Sequence, residues 1–169
     1  MIEGIYEKWM NQVQREKIRK ILLALPFKIE GRVLDLGSGP GFLEEFVPAI
    51  ALDVNPDYLK KIPGVKVLAS GNALPFKSNT FDLIFCIDTA HLLRSSREIF
   101  RVLKPGGKCI ASIFCSRHTL GERRKFLLDF LNAKNAKVRV LSEFVVKTEE
   151  EWDYVIVAEK CGNRARNLP

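Results

Sequence analysis

Val33-Leu34-Asp35-Leu36-Gly37-Ser38-Gly39-Pro40-Gly41 decides the fold. A short apolar strand runs into Gly37, Gly39 and Gly41, and a helical pattern follows from Gly41 to Phe46. A turn this tight needs residues that tolerate positive φ and lack a Cβ, so that a ligand can approach the backbone closely. In doubly wound α/β folds the ligand crevice opens at the carboxyl ends of the strands, where such a loop sits.

Outward from that loop, β-rich runs alternate with helical patterns, the signature of βαβ units around a parallel sheet. Ile5 to Leu25 reads as a leading helix with Trp9, Val13, Ile18, Ile21, Leu22 and Leu25 as apolar positions, ended by Pro26. Arg32 to Leu36, Ile50 to Val54, Val65 to Ala69 and Phe81 to Ile87 read as the first four strands. Pro56 to Lys61 and Ser95 to Leu103 read as helices, the first opened by proline. Pro105-Gly106-Gly107 predicts a turn before a fifth strand, Lys108 to Phe114, and Leu120 to Leu131 a further helix. Two last strands, near Val138 to Leu141 and Tyr154 to Ala158, are joined without a helix, which allows an antiparallel hairpin at the sheet edge.

The 169 residues suit one domain, and 47 % apolar content supplies a sizeable core. Glu3, Glu7 and Lys8 exclude the apolar core of a signal peptide at the N-terminus, and no apolar run is long enough to span a bilayer. A cytoplasmic protein is expected. Cys86, Cys109, Cys115 and Cys161 form no C-x-x-C pair, so neither a zinc site nor a disulfide framework is expected. The net charge of +7 favours encounters with anionic partners but names none, because the basic residues are spread along the chain.

The loop also discriminates among ligands. A dinucleotide fingerprint, G-x-G-x-x-G, would place its third glycine where Phe42 stands. Glu44 and Glu45 follow at once, and carboxylates at a helix start oppose a bound pyrophosphate. S-adenosylmethionine carries a sulfonium and no phosphate, so it avoids that conflict. A G-K-[ST] ending is absent, which excludes a P-loop. Asp53 ends the second strand 18 residues beyond Asp35, near the offset of about 20 at which an acidic side chain reaches ribose hydroxyls. A strand-end aspartate capping the Pro56 helix fits that position equally well.

The chain resembles the class I S-adenosylmethionine-dependent methyltransferases, in particular the ubiquinone- and menaquinone-biosynthesis-like group. The resemblance rests on D-L-G-S-G-P-G at 35 to 41, A-L-D-V at 51 to 54, G-N-A-L-P-F at 71 to 76, F-D-L-I at 81 to 84 and R-V-L-K-P-G-G at 101 to 107. The opening Y-E-K-W at 6 to 9 is similar to a start seen in some relatives. The resemblance implies one doubly wound, Rossmann-like α/β domain over 1–169. Its mostly parallel seven-stranded sheet has an antiparallel last strand, with helices on both faces. Residues 1–27 would form the leading helix and a lid, 31–160 the core and 161–169 a basic tail.

The resemblance also implies a site. Asp35 with Gly37, Ser38, Gly39 and Gly41 would hold the methionine end of the cofactor. Asp53 would bind the ribose hydroxyls and Val54 the adenine. Asn72, where relatives often have aspartate, would meet the adenine edge, with Ala73 and Leu74 lining the same pocket. Ile87 and Asp88 would sit near the sulfonium, and Tyr6 would close over the cofactor, with Trp9 either beside it or in the core.

The sulfonium is already an activated donor, so holding acceptor, methyl and sulfur in line supplies much of the catalysis. A general base is needed only where the acceptor loses a proton. Asp88, His91 and Tyr6 are candidates by position, but no catalytic residue is assigned; His91 also suits a helix start, and His118 has a weaker claim. Ile87-Asp88-Thr89-Ala90 stands where enzymes methylating base or glutamine amino groups carry an Asn/Asp-Pro-Pro-Tyr motif, which argues against those acceptors.

Arg94, Arg97, Arg101 and Lys104 recur at helical spacing, and Arg123, Arg124, Lys125, Arg164 and Arg166 add to the positive charge, a pattern compatible with nucleic acid. No aromatic recurs along that stripe to stack bases, so a solvated helix face is the preferred reading. The expectation is methyl transfer to an acceptor of unidentified structure, a small molecule before RNA or protein. The alternatives are a cofactor-binding but inactive partner subunit and, disfavoured by Phe42, Glu44 and Glu45, a nucleotide-dependent oxidoreductase.

Overall fold

The computed structural model describes residues 2–132 and 137–162, with side chains described from residue 8 onward. Helix α1 (Ile2–Ala24) leads into strands β1 (Val33–Leu36), β2 (Ile50–Asp53), β3 (Lys66–Leu68) and β4 (Phe81–Cys86). Helix α2 (Pro56–Lys60) joins β2 to β3, and α3 (Arg97–Val102) joins β4 to β5 (Leu103–Cys115). Helix α4 (Leu120–Leu131) precedes a hairpin of β6 (Val138–Lys147) and β7 (Trp152–Lys160).

The seven strands form one sheet in the order β3-β2-β1-β4-β5-β7-β6. The pairs from β3 to β5 are parallel, whereas β7 runs antiparallel to both β5 and β6. This is the doubly wound sheet expected from the sequence, with its hairpin at one edge. The chain reverses direction across the sheet on either side of β1, which is where such sheets open a ligand crevice.

Alternation along the central strands builds a core on each face. Ile18 and Ile21 of α1 pack with Val33, Leu83, Phe85, Ile110, Val155 and Val157. On the opposite face Leu34, Leu36, Ile84 and Ala111 meet Ile99 and Phe100 of α3 and Leu127 and Leu131 of α4. Ala51, in register with Asp35, packs against Leu59 and Ile62, which places α2 on the face that carries α1. Both faces of β1 and β4 are therefore covered, and these strands are apolar almost throughout.

The local boundaries differ from expectation in three instructive places. The helix expected over Gly41–Phe46 is a single 3-10 turn, Leu43–Glu45. Gly41, at φ +90°, lies outside the right-handed helical region, and Pro48 follows closely, so little helical chain is left between them. Pro105-Gly106-Gly107 does not precede β5 but bulges within it. Phe81 pairs with Leu103 and Leu83 with Lys108, so five residues of β5 are spent against two of β4, and Gly106 supplies a φ of +78°. Helix α3 spans only Arg97–Val102, so Arg94 and Lys104 lie outside it.

That last boundary dissolves the expected basic stripe. Arg101 donates to Glu98, to the Phe76 carbonyl at 2.7 Å and to the Leu74 carbonyl at 2.8 Å, while Lys104 pairs with Asp82 at 2.8 Å. Two members of the stripe are thus committed to holding β4 and its preceding loop. Cys86, Cys109 and Cys115 are buried free thiols and Cys161 is half-buried. No helix among the described residues is long and apolar enough to cross a membrane. Arg164 and Arg166 of the expected basic tail fall outside the described residues.

Candidate functional site

A cavity of about 620 Å³ opens at the carboxyl ends of β1, β2 and β4. Of the residues singled out from the sequence, Asp35, Gly37, Ser38, Gly39, Asp53, Val54, Asn72, Ile87 and Asp88 line it together. Gly41, Ala73 and Leu74 do not form part of the lining. The Tyr6 side chain lies outside the described residues. Gln14 and Ile18 bring α1 to the cavity wall, and Tyr58, Leu92 and Leu93 add apolar surface.

The glycine loop is shaped by the strands beneath it. The Gly37 and Ser38 amides both donate to the Leu52 carbonyl, at 2.8 and 3.1 Å, which folds the loop over the end of β2. Gly37 has φ +78°, and a Cβ there would lie 2.2 Å from Thr89 Oγ1, so glycine is required twice over. Gly39 has φ +52° but a Cβ there would meet nothing within 4 Å; its open side leaves the backbone accessible. Ser38 is 7 % exposed, and its hydroxyl, on the cavity wall, has no hydrogen-bond partner. A buried hydroxyl left in that state is costly unless a ligand satisfies it.

Asp53 is held from two sides. The Gly39 N–H donates to Oδ2 at 2.9 Å and the Asn55 N–H to Oδ1 at 2.8 Å. Each carboxylate oxygen has a further lone pair to offer, so the pair suits two neighbouring hydroxyls. The alternative role as cap of the Pro56 helix falls to another residue: Asn55 is the N-cap of α2, its side chain accepting from the Asp57 N–H at 2.9 Å.

Asn72 is oriented by the Arg94 N–H, which donates to its Oδ1 at 2.7 Å. Leu74 points elsewhere. It is 5 % exposed, belongs to the core on the α3–α4 face, and donates its N–H to Glu98. His91 and His118 are exposed and line no part of the cavity. Trp9 is 39 % exposed.

Asp35 is buried at the cavity floor, and burial first, then the neighbouring Glu44 carboxyl and Asp53, push its pKa well above the usual carboxylate range. Burial also raises Glu44, whose two oxygens lack partners. Glu44 and Glu45 therefore part company: Glu45 turns outward to an ion pair with Arg15 at 2.7 Å, while Glu44 stays with Asp35. Two carboxyls crowded into one buried corner favour a proton or a cation between them.

Sequence reasoning missed a lysine buried in the core. Lys17 is 1 % exposed and meets Asp88, Glu151 and Asp153. The signal was present in the helix period: Lys17 stands four residues from both Val13 and Ile21, in the middle of the apolar stripe. Its acidic partners sit just after β4, just before β7 and on β7, too distant in sequence to be paired by pattern. Among the described residues no group of His, Cys, Asp and Glu is arranged to hold a metal ion.

Comparison with known proteins follows the same lines as this geometry. A family model described as "Methyltransferase domain" matches residues 34–111, from β1 into β5. An uncharacterised protein of Methanocaldococcus jannaschii is 37 % identical over 135 residues, covering 66 % of this chain and 60 % of that protein. An uncharacterised methyltransferase of Mycobacterium tuberculosis is 31 % identical over 123 residues, covering 63 % of this chain and 48 % of that one. The chain spans at most 60 % of the length of the curated relatives it first matches. Among solved structures, a SAM-dependent methyltransferase of Leishmania major superposes with a TM-score of 0.70 at 20 % identity, covering 94 % of this chain and 77 % of that chain; at that identity the likeness concerns the fold. With its motifs in order along β1 to β5 and the fold around them, the chain carries over residues 34–111 a methyltransferase domain similar to those of the class I S-adenosylmethionine-dependent methyltransferases.

Proposed function

We propose that the chain binds S-adenosylmethionine in this cavity and transfers its methyl group to a small-molecule acceptor, acting as one methyltransferase domain in which α1 serves as a lid. The observation that carries the reading is Asp53, presented on the cavity wall by the Gly39 and Asn55 amides with lone pairs to spare for a pair of ribose hydroxyls.

The residues present fit the cofactor. The unpartnered Ser38 hydroxyl and the Asp35–Glu44 corner offer, on the loop side, an acceptor and excess negative character for an α-ammonium. Val54, Tyr58, Leu92 and Leu93 provide apolar wall for a base, and the Asn72 amide, already fixed by Arg94, has its nitrogen left to donate. The volume falls within the range of about 300–1,000 Å³ usual for small-ligand pockets. Gly41, Ala73 and Leu74 do not line the cavity and take no part in this reading.

When bound, the cofactor supplies an activated methyl on a positively charged sulfur. What remains for the chain is to fix that methyl in place and exclude water, which Gln14 and Ile18 of α1 favour by closing one side of the cavity. Asp88 is the carboxylate nearest the end of β4 and accepts from the Phe114 N–H at 2.8 Å, so it is oriented before any ligand arrives.

Titration of the purified chain with S-adenosylmethionine and S-adenosylhomocysteine by calorimetry tests the reading, with NAD as control. Micromolar affinity for both, lost in Asp53→Ala and absent for NAD, is expected. No heat at millimolar concentration of either would overturn it.

A further inference from the structure

The cofactor reading assigns no role to the buried ion pair at the cavity wall. Lys17 reaches from α1 to hydrogen-bond Asp88 Oδ2, and lies 3.0 Å from Glu151 Oε1 and 3.6 Å from Asp153 Oδ2. Asp88 lines the cavity; Lys17 sits behind it. The carboxylate is gripped further by the Phe114 N–H on Oδ1, and its own N–H faces the Ser112 carbonyl at 3.2 Å. Ser112 Oγ in turn donates to Asp153 Oδ1 at 3.4 Å. Asp88 also adopts φ +48°, a left-handed conformation that costs a non-glycine residue and persists when its surroundings impose it. Both carboxylate oxygens of Asp88 are thus held in place by the protein, on a residue that lines the cavity.

Its charge depends on one of them. Burial alone pushes the Asp88 carboxyl upward, but the charge and hydrogen bond of Lys17, assisted by Asp153 and the Phe114 N–H, hold it below its ordinary value. Without Lys17, Asp88 would face Asp153 and Glu151 in the same buried corner with no cation to balance them, and a proton on Asp88 would be the cheaper outcome. Asp53 lies on β2, and the cavity runs from it past the β1 loop to the end of β4, so a cofactor held at Asp53 by its ribose would have Asp88 within the same cavity. Asp88 follows β4 at the far end of that path.

We propose that Lys17 is a positioning residue that keeps Asp88 ionised and fixed at the cavity wall, and that through Asp88 the site distinguishes the cationic sulfonium of S-adenosylmethionine from the neutral thioether of S-adenosylhomocysteine. The inference rests on the cofactor reading above. Loss of the methyl removes the positive charge from sulfur, so an ionised Asp88 favours the donor over the spent product and eases product release.

The test is calorimetry of both ligands with the parent chain, Lys17→Met, Lys17→Arg, Asp88→Asn and the Lys17→Met/Asp88→Asn double variant, each checked for folding by circular dichroism. The preference for the sulfonium, expressed as the ratio of the two dissociation constants, should fall about fivefold or more in Lys17→Met and in Asp88→Asn. It should be retained in Lys17→Arg, and Lys17→Met should add nothing once Asp88 is replaced. A role confined to stability would weaken both ligands equally and leave the ratio unchanged, which overturns the inference; so do additive effects in the double variant. Should Lys17→Met fail to fold, Asp88→Asn alone decides by the same ratio. A parent chain that binds neither ligand sinks the cofactor reading and this inference with it, whereas binding with a ratio indifferent to the variants sinks the inference alone.

Discussion

The backbone N–H of Gly39 donates to Asp53 Oδ2 at 2.9 Å, so the tip of the glycine loop and the end of β2 hold one another in place. The same carboxylate that is offered to the cavity is therefore part of what shapes it. Binding and loop geometry are coupled at this one residue.

Asp53→Ala removes both functions. Hydrogen bonds to a charged group are worth about 1.5–3 kcal/mol each, so affinity for S-adenosylhomocysteine should fall by at least about tenfold. Stability should drop by only about 1–2 kcal/mol, since Asp53 is half-buried and the amides it releases can reach water. Calorimetry alongside urea unfolding separates the two. Undiminished affinity would remove Asp53 from the cofactor site.

Gly37→Ala and Gly39→Ala should differ in kind. A methyl at Gly37 collides with the Thr89 side chain, at 2.2 Å from Oγ1 and 2.6 Å from Cγ2, on a backbone with φ +78°. Stability should fall by about 2 kcal/mol or more, from backbone strain plus overpacking. At Gly39 the added methyl meets open space, so about 1 kcal/mol from the left-handed backbone is expected. Its larger effect should be on ligand affinity. Equal unfolding midpoints for the two variants would contradict this division.

Asp153 gives the protein an acid-side stability gradient. Burial, followed by the Asp88 charge, pushes its pKa up to about 8, despite Lys17 at 3.6 Å. An acid whose folded pKa exceeds its unfolded value holds its proton more tightly when folded. Stability is then highest at low pH, and the contribution is lost as pH rises from the unfolded value through the folded one. Between about pH 5 and pH 8, Asp153→Asn should therefore flatten the fall in stability by up to about 1.4 kcal/mol per pH unit. Burial raises Asp35 and Glu44 in the same direction, so some slope should remain. Parallel stability–pH curves for parent and variant would exclude Asp153 as a source.

The four thiols should separate into classes. Burial pushes the Cys109 thiol up to about 12 and the Cys86 thiol well above its usual value, and Cys115 moves in the same direction for the same reason. A thiol so shielded presents almost no thiolate near neutral pH. Native protein should release one equivalent of thionitrobenzoate quickly from Ellman's reagent, from half-buried Cys161, and four after denaturation. Rapid reaction of more than one thiol in the native state would show that the sheet around Cys86 and Cys109 opens readily.

The elements whose reading depended on near neighbours were legible. Strand, glycine turn and strand-end aspartate each follow from local chemistry: alternation, tolerance of positive φ, a carboxylate at a fixed offset. Hence Asp35, Gly37, Ser38, Gly39 and Asp53 lie together at the cavity, without Gly41, and Leu120–Leu131 matches the expected helix at both ends. Boundaries failed where a local signal had two meanings. Pro105-Gly106-Gly107 can turn a chain or bulge a strand, and only pairing of Leu103 with Phe81 decides between them. The spacing of Arg94 to Lys104 describes a helix face only if the helix is long enough to contain it.

The sequence by itself determined the class of fold, the order of its motifs and the loop at which a ligand would be met, because each of these is written in residues a few positions apart. Tertiary structure alone decided which charges are buried together. Lys17, Asp88, Glu151 and Asp153 come from three distant parts of the chain, and Glu44 turns in to Asp35 while Glu45 turns out to Arg15. The physical reason is that a charge is governed by what is packed around it. Burial removes water from every group in the corner at once, and which partner then compensates it depends on strands and helices brought together by the whole fold.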